Sequence, residues 1–488
     1  MNKFPNRRAK IIATLGPSSN SLDTISNLIQ AGMDVARLNF SHGTHQSHEI
    51  IIDIIKKLSL EYNKHIVILQ DLQGPKLRVG NLPKHGLPLT ANEEIILEIQ
   101  SDDKNKDYQI GNPKKIFLDI PNVFHCLKAG SKILLDDGKL EFEIVRVTEC
   151  QIHAKVILGG VLLSNKGVNL PDTKLDIPGF TDKDMQDLSF GLSKGIDAIA
   201  VSFVRNAEDI TCIRDYITKQ DPKKKNLPII AKLELPQAIE NLNAILDAAD
   251  GVMVARGDLG VETSPNKVPY IQKQIIQAAN KKFKLVITAT QMLDSMITNP
   301  RPTRAEASDV ANAIWDGSDS LMLSGETASG HYPVHSVLMM DAIITSAEQK
   351  MNQWGHFHHA VIGEDQDDAI AISIAAGDLT NDRDVISVAV FTQSGKTAIL
   401  QSKTRPNVPI LAFTPNADTY NRLGLYWGVL PFLVPFSNTL EDMINHVEKK
   451  LIDELNFSKG QKVVLLSGFP IGEMRSTNLV LLHSIGSL

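Results

Sequence analysis

Cysteine is nearly absent. Cys126, Cys150 and Cys212 are the only three in 488 residues. An odd, widely spaced set is no disulfide framework, and no two stand at metal-ligand spacing, so a reducing compartment is expected. Long hydrophobic runs are missing too. No stretch approaches the ~20 apolar residues of a membrane span. The run that follows Lys3, Arg7, Arg8 and Lys10 stops at Gly16-Pro17, too short for a signal-peptide core. There is no basic excess either; the formal net charge is −6, which argues against a general nucleic-acid binder. Internal repeats and low-complexity tracts are lacking. What remains is an ordinary globular composition, long enough for several domains. A cytoplasmic enzyme is expected, with neither nucleic acid nor membrane as partner.

The apolar pattern sets the organisation. Short β-like runs at Ala9–Gly16, Val35–Phe40 and His65–Leu72 alternate with helical segments at Ser21–Ala31 and Thr44–Leu60. The rhythm breaks between about 75 and 170, where β-rich pieces are joined by turns such as Asp136-Asp137-Gly138. It resumes with strands at Ala198–Phe203, Pro228–Glu234, Gly251–Asp258, Leu285–Thr290 and Ser320–Gly325. Eight β-then-α units are the number that closes a parallel barrel; a doubly wound sheet is the alternative. A third domain begins at about 352, and its alternating helix and strand run from Ala369. A polar stretch bearing His356, His358 and His359 precedes it and is expected to be a solvated linker, not a metal site.

Chemistry concentrates where strands end. Lys232 and Glu234 close one run, and Arg256-Gly257-Asp258 closes the next. Two carboxylates and an ammonium at such ends suit a divalent cation beside an anionic substrate. Glu234 and Asp258 are the expected oxygen ligands; a buried Lys–Glu pair and helix-capping carboxylates are the alternatives. Lys232 lies two residues from Glu234, so both point to one side of an extended strand. Arg37, Asn39 and Ser41 share a face in the segment ending at His42-Gly43. Arg37 suits bidentate phosphate contact; a polar turn capped by Ser41 fits equally well. Asp71-Leu72-Gln73-Gly74-Pro75-Lys76-Leu77-Arg78 leaves the third strand by a stiff Gly-Pro exit, a hinge or a plain linker. Thr290 offers a hydroxyl to substrate or a helix cap. Thr392 and Ser394-Gly395-Lys396-Thr397 resemble the tail of a phosphate loop, but Val390 stands where its first glycine belongs. A regulatory phosphate site or a capped helix start remains.

Together these segments resemble the pyruvate kinase family, and the resemblance spans nearly the whole chain. The stretches that carry it include Ala9–Pro17, Ala31–Thr44, Asp182–Leu188, Asp250–Glu262, Ala289–Ile297, Pro300–Asn312 and Met322–Ala328. It implies a (β/α)8 TIM barrel at 1–74 and 171–351. An inserted small β-barrel lid domain at 75–170 and a C-terminal α/β regulatory domain at 352–488 complete the expected α/β architecture. It implies phosphoryl transfer from phosphoenolpyruvate to ADP, giving pyruvate and ATP in glycolysis, with Mg²⁺ (or Mn²⁺) on Glu234 and Asp258. By the same resemblance, Lys232 stabilises the phosphoryl in flight and the enolate, and Arg37 holds the phosphoryl group. The Gly257 backbone and Thr290 bind the carboxylate end of the substrate, with Thr290 near the carbon later protonated. Asn39, His42, Arg78 and Lys183 are nucleotide-side contacts. The loop Thr392–Thr397 with Gly472–Asn478 resembles an effector site for a phosphorylated ligand, and a homotetramer is implied.

One departure matters more than the matches. Many members need K⁺, held by residues matching Asn39, Ser41, Asp71 and Leu72, and carry Asp-Thr-Lys-Gly-Pro-Glu here. This chain has Leu72 for the threonine and Lys76 for the glutamate. A tethered ammonium has the charge of K⁺, so Lys76 is expected to replace the ion and K⁺ not to be required. Leu235-Pro236-Gln237 also departs from the common form, without a functional account. Two other readings compete: a metal-dependent barrel aldolase or lyase, against which Arg78, Lys183 and the insert argue, and a non-catalytic sensor, against which the presence of Lys232, Glu234 and Asp258 argues.

Overall fold

A computed structural model describes residues 7–99, 113–119, 124–149, 151–171, 173, 177–355, 368–382 and 384–487. His356, His358 and His359 lie outside the described residues, as does Cys150.

Eight parallel strands close a barrel: β1 (Lys10–Leu15), β2 (Val35–Asn39), β3 (Val67–Asp71), β4 (Ala198–Val201), β5 (Ile229–Leu233), β6 (Gly251–Ala255), β7 (Leu285–Ala289) and β8 (Ser320–Leu323). β8 pairs back onto β1 through Lys10 opposite Ser320. The strands are buried on both faces, which is why they read as near-continuous apolar runs. Ile12, Val35, Leu69, Ile230, Met253 and Ile287 fill the interior, while Ile11, Ala13, Leu38 and Leu233 pack under the outer helices. The closed sheet removes the doubly wound alternative.

The helices begin where short polar side chains cap them. Ser21 accepts from the Thr24 N–H before Leu22–Ala31, and Thr44 forms a capping box with Ser47 before His45–Glu61. Thr44, not Ser41, therefore caps this helix. All eight barrel strands end one to three residues before the end expected from the apolar pattern. β6 stops at Ala255, and Arg256–Glu262 is already helical. Gly257 and Asp258 thus stand in a first helical turn instead of on a strand. Glu234 and Thr290 likewise lie one residue past β5 and β7. Apolar run length alone does not locate such an end, because the buried turn continues the apolar pattern.

Between β3 and the helix Asp182–Ser193 the chain makes a seven-stranded mixed sheet and a small two-stranded one. Its end strands, Arg78–Val79 and Val168–Asn169, meet through an Arg78–Gly167 bridge and the Val168 N–H to Leu77 carbonyl bond of 3.0 Å. The sheet therefore curls round a core that includes Leu97, Ile133 and Phe142. The hairpin expected at Asp136-Asp137-Gly138 joins Lys132–Leu135 to Leu140–Val147, with φ of 51°, 57° and 81° through the turn.

The C-terminal part holds a five-stranded sheet, ordered Val429–Leu433, Ile410–Thr414, Val385–Phe391, Lys462–Ser467 and Leu479–Ser484, with only the last antiparallel. It seats on the N-terminal mouth of the barrel. Lys10 Nζ donates to the Val429 carbonyl at 2.8 Å, and Ser320 Oγ to the Leu425 carbonyl at 3.2 Å. The opposite, C-terminal mouth is left to the insert, and every candidate side chain but the loop at 392–397 gathers there.

Candidate active site

Asp71, at the end of β3, is fully buried and accepts from two cations. Arg37 Nε on β2 donates at 2.7 Å, and Lys232 Nζ on β5 lies at 3.2 Å. Lys232 also reaches Glu234 Oε1 at 2.9 Å and donates to Ser202 Oγ at 2.6 Å. The other Glu234 oxygen accepts the Phe203 N–H at 2.7 Å. Arg37 spends a second donor on Thr14 Oγ1 at 2.9 Å, and that hydroxyl donates onward to the Leu323 carbonyl at 2.8 Å. One polar chain thus ties β1, β2, β3, β5 and β8 at the functional mouth. Lys232 and Glu234 do form the buried pair considered as an alternative, but inside a larger cluster.

The electrostatics follow from burial and neighbours. Burial opposes charge on Lys232, yet Asp71 and Glu234 outweigh it and hold the ammonium above its ordinary range. Burial pushes the Glu234 carboxyl up to about 7, and the nearby charge of Asp258 adds to the rise against the pull of Lys232. For Asp71 burial is outweighed by Lys232 and Arg37, which lower it. Asp258 has no hydrogen bond or ion pair among the described residues and lines a cleft of about 1290 Å³ with Gly257, Thr290 and Lys76. Two carboxylates at one mouth, one of them unengaged, fit a divalent cation. No group of three or more acidic, His or Cys ligands occurs among the described residues. That donor set suits Mg²⁺, which binds by one or two carboxylates and takes the rest from water and substrate oxygens.

Thr290 caps no helix; the next helical turn, Asp294–Ile297, follows Leu293. Its φ is +72° and that of Gln291 is +55°. Gly257 approaches it so closely that a Cβ there would lie 2.9 Å from Thr290 Cγ2.

The nucleotide-side candidates cluster along the end of β2. Asn39 Oδ1 accepts the Ser41 N–H at 3.1 Å. Lys183 Nζ donates to the Phe40 carbonyl at 2.8 Å and to Asp187 at 2.6 Å, and His45 joins the same carboxylate at 2.7 Å. His42 is lowered, by partial burial and then by Arg78, Lys76 and Arg37. Arg78 Nη1 donates to the Asn165 carbonyl at 2.9 Å. Lys76 is exposed on the far side of Gly74, and its ammonium has no partner among the described residues; both Asp71 oxygens are taken by Arg37 and Lys232. Among the described residues no hydrogen bond or ion pair joins Lys76 to Asp71, Asn39 or Ser41.

Thr392, Ser394, Lys396 and Thr397 line a separate cavity of about 260 Å³ with Gly472 and Arg475. The helix Lys396–Lys403 starts at Gly395, φ +84°, whose N–H donates to Thr392 Oγ1 at 3.0 Å.

Thr14, Ser202 and Asp187 were not singled out from the sequence. Ser202 and Thr14 could have been found by asking which polar residues end the remaining barrel strands. Asp187 stands four residues after Lys183, the spacing of a helical ion pair.

Known proteins share this architecture. The model of the pyruvate kinase barrel domain matches residues 6–337, and that of the pyruvate kinase alpha/beta domain matches 370–483. Pyruvate kinase of Geobacillus stearothermophilus is 42% identical over 491 residues, covering 99% of this chain and 81% of that protein. The Staphylococcus saprophyticus pyruvate kinase is 40% identical over 484 residues, 98% and 81% respectively. A crystal structure of a pyruvate kinase from Cryptosporidium parvum superposes with a TM-score of 0.90 at 33% identity, covering 98% of this chain and 96% of that one. Barrel, insert and C-terminal sheet are matched together, and the chain belongs to the pyruvate kinase family, as an enzyme and a kinase.

Proposed function

We propose that the chain transfers the phosphoryl group of phosphoenolpyruvate to ADP, with Mg²⁺ (or Mn²⁺), and releases pyruvate and ATP as a step of glycolysis in the cytoplasm. The carrying observation is the buried Arg37–Asp71–Lys232–Glu234 chain facing Asp258 across one barrel mouth. Loose phosphoryl transfer asks for positioning and cationic charge more than for covalent chemistry. Arg37 and Lys232 supply that charge, and Asp71 fixes their separation. Arg37 grips the phosphoryl group; Lys232 follows it in flight and neutralises the enolate left behind. Glu234 and Asp258 hold the divalent cation, which when bound adds positive charge at the reacting oxygens. The Gly257 backbone and Thr290 take the carboxylate end of the substrate. Asn39, His42, Arg78 and Lys183 take the nucleotide.

The insert, 75–170, acts as a lid on the barrel of 1–74 and 171–351, swinging at Gly74-Pro75. Water excluded by its closure cannot intercept the phosphoryl group. Lys76, just beyond that hinge, takes the place of K⁺ beside Asn39, Ser41 and Asp71 on closure, so K⁺ is not required. The unit 352–488 is regulatory: Thr392, Ser394, Gly395, Lys396 and Thr397 bind a phosphorylated effector. The assembly is a homotetramer. No helix among the described residues is long and apolar enough to cross a membrane.

The test of the site is Lys232→Met. It should lower kcat by at least about a hundredfold, the scale of losing one preorganised charge, while the KM for ADP stays near that of the parent. A variant that folds and retains the parent kcat would remove Lys232 from the chemistry.

A further inference from the structure

Thr290 is a β-branched residue held at φ +72°, followed by Gln291 at +55°. Such residues rarely enter this region, and a pair of them persists only where the surroundings over-determine the backbone. The surroundings here are largely one side chain. Arg256 Nη2 donates to the Thr290 carbonyl at 2.7 Å and to the Gln291 carbonyl at 3.2 Å, and Nε lies 3.3 Å from the Ala289 carbonyl. Three successive carbonyls are therefore drawn toward one guanidinium. Its remaining nitrogen, Nη1, meets both Asp309 oxygens at 2.8 and 2.6 Å. The planar fork is satisfied on each side and cannot rotate without losing several bonds.

Position gives the contact its meaning. Arg256 immediately precedes Gly257 and Asp258 and opens the helix Arg256–Glu262. Asp309 comes from the helix Arg304–Trp315 and lines the same cleft as Thr290. Thr290 Cγ2 packs against Gly257, and no hydrogen bond of its hydroxyl occurs among the described residues. We propose that Arg256 and Asp309 form a clamp that holds Thr290 in the left-handed conformation. Both are positioning residues for the end of the reaction at which the enolate carbon is protonated. The inference rests on the reading of Thr290 as a substrate contact.

The fork carries the clamp, so a point charge cannot replace it. Arg256→Lys keeps the charge and loses the geometry; Asp309→Asn keeps the shape and loses one acceptor and the charge. Three measurements on full-length enzyme test the idea: a crystal structure of Asp309→Asn, steady-state kinetics, and exchange of the pyruvate methyl protons with D₂O in the presence of Mg²⁺ and ATP. Thr290 should leave the left-handed region in the variant structure. Methyl exchange should slow by about ten- to a hundredfold in Asp309→Asn, Arg256→Lys and Thr290→Ala alike, the scale of misplacing a group at a reacting centre. The KM for ADP should change by less than about twofold. A left-handed Thr290 in the Asp309→Asn structure overturns the clamp whatever the kinetics. A relaxed Thr290 with exchange at the parent rate in Asp309→Asn and Thr290→Ala overturns its part in the reaction, and the substrate role of Thr290 with it. Slow exchange in Thr290→Ala beside parent-like exchange in the two clamp variants keeps that role and overturns the positioning.

Discussion

Asp71 touches no expected substrate group, yet it decides how two cations stand. Arg37 and Lys232 would repel across the barrel mouth, and a buried carboxylate between them removes that repulsion. The cluster of Arg37, Lys232, Asp71, Glu234 and Asp258 holds two cationic and three acidic side chains. It lacks the positive excess a phosphoryl group needs, which a divalent cation would supply. Asp187 plays the same organising part where the nucleotide is proposed to bind. It is buried, it holds Lys183 and His45 together, and its carbonyl accepts Gln70 Nε2 at 2.7 Å. Asp187→Asn should raise the KM for ADP roughly tenfold, a loss on the scale of a charged hydrogen bond, and leave the KM for phosphoenolpyruvate within about twofold. Equal rises in both would mark Asp187 as a general structural residue. Lys232, Glu234 and Arg37 were legible in the sequence because charge at the end of an apolar run is anomalous. Thr14 and Ser202 were not, because a hydroxyl costs little to bury and leaves no spacing signature.

Strands and helices were legible where one physical rule controlled them. Eight apolar runs of strand length, each followed by a helical period, admit few closed arrangements, and the barrel is one. The ends were less legible. Arg256–Glu262 turns helical directly after β6 since Arg256 can satisfy the carbonyls of the neighbouring turn, a contact between residues over thirty positions apart. The pairing order within the insert was out of reach for the same reason: short strands of similar composition do not name their partners. At the N-terminal end of β1 and β2 an ion-pair cluster makes an element-scale prediction. Burial would raise the Asp34 carboxyl, but Arg7 at 2.7 Å, Lys64 at 3.3 Å and Lys10 outweigh it and hold it well below the usual carboxylate range. Its folded pKa lies below its unfolded one. The stability it contributes is therefore complete above about pH 4, the unfolded value, and is lost as pH falls further. Asp34→Asn should be less stable than the parent at neutral pH, and the two urea midpoints should converge as pH drops below about 4. Parallel midpoints across that range would contradict the assigned shift.

At the scale of the whole molecule, the two mouths of the barrel have different occupants. The N-terminal mouth is sealed by the C-terminal sheet, with Lys403 and Arg405 paired to the fully buried Asp319 of the barrel. The Ser394 carbonyl accepts from Arg422, which also donates to the Asn226 carbonyl at 3.1 Å, just before the strand bearing Lys232. The loop 392–397 and the candidate active site thus connect to opposite ends of β5. The C-terminal mouth carries the Gly74-Pro75 entry into the insert, with the exposed Lys76 directly after it. Length and apolar periodicity made the two mouths legible; the pairing of both Asp71 oxygens with Arg37 and Lys232, which leaves neither for Lys76, was not. The most direct test is the initial rate of pyruvate formation from phosphoenolpyruvate and ADP, with Mg²⁺, in buffer free of K⁺, Na⁺ and NH₄⁺. It is run for the parent and for Lys76→Glu, before and after K⁺ is added. The parent should turn over fully without K⁺ and gain little from it, while Lys76→Glu should be at least about tenfold slower, a change of roughly 1.4 kcal/mol in the barrier. A parent that is silent until K⁺ arrives, or a Lys76→Glu variant with parent kinetics, would contradict the assignment of Lys76 as the built-in cation.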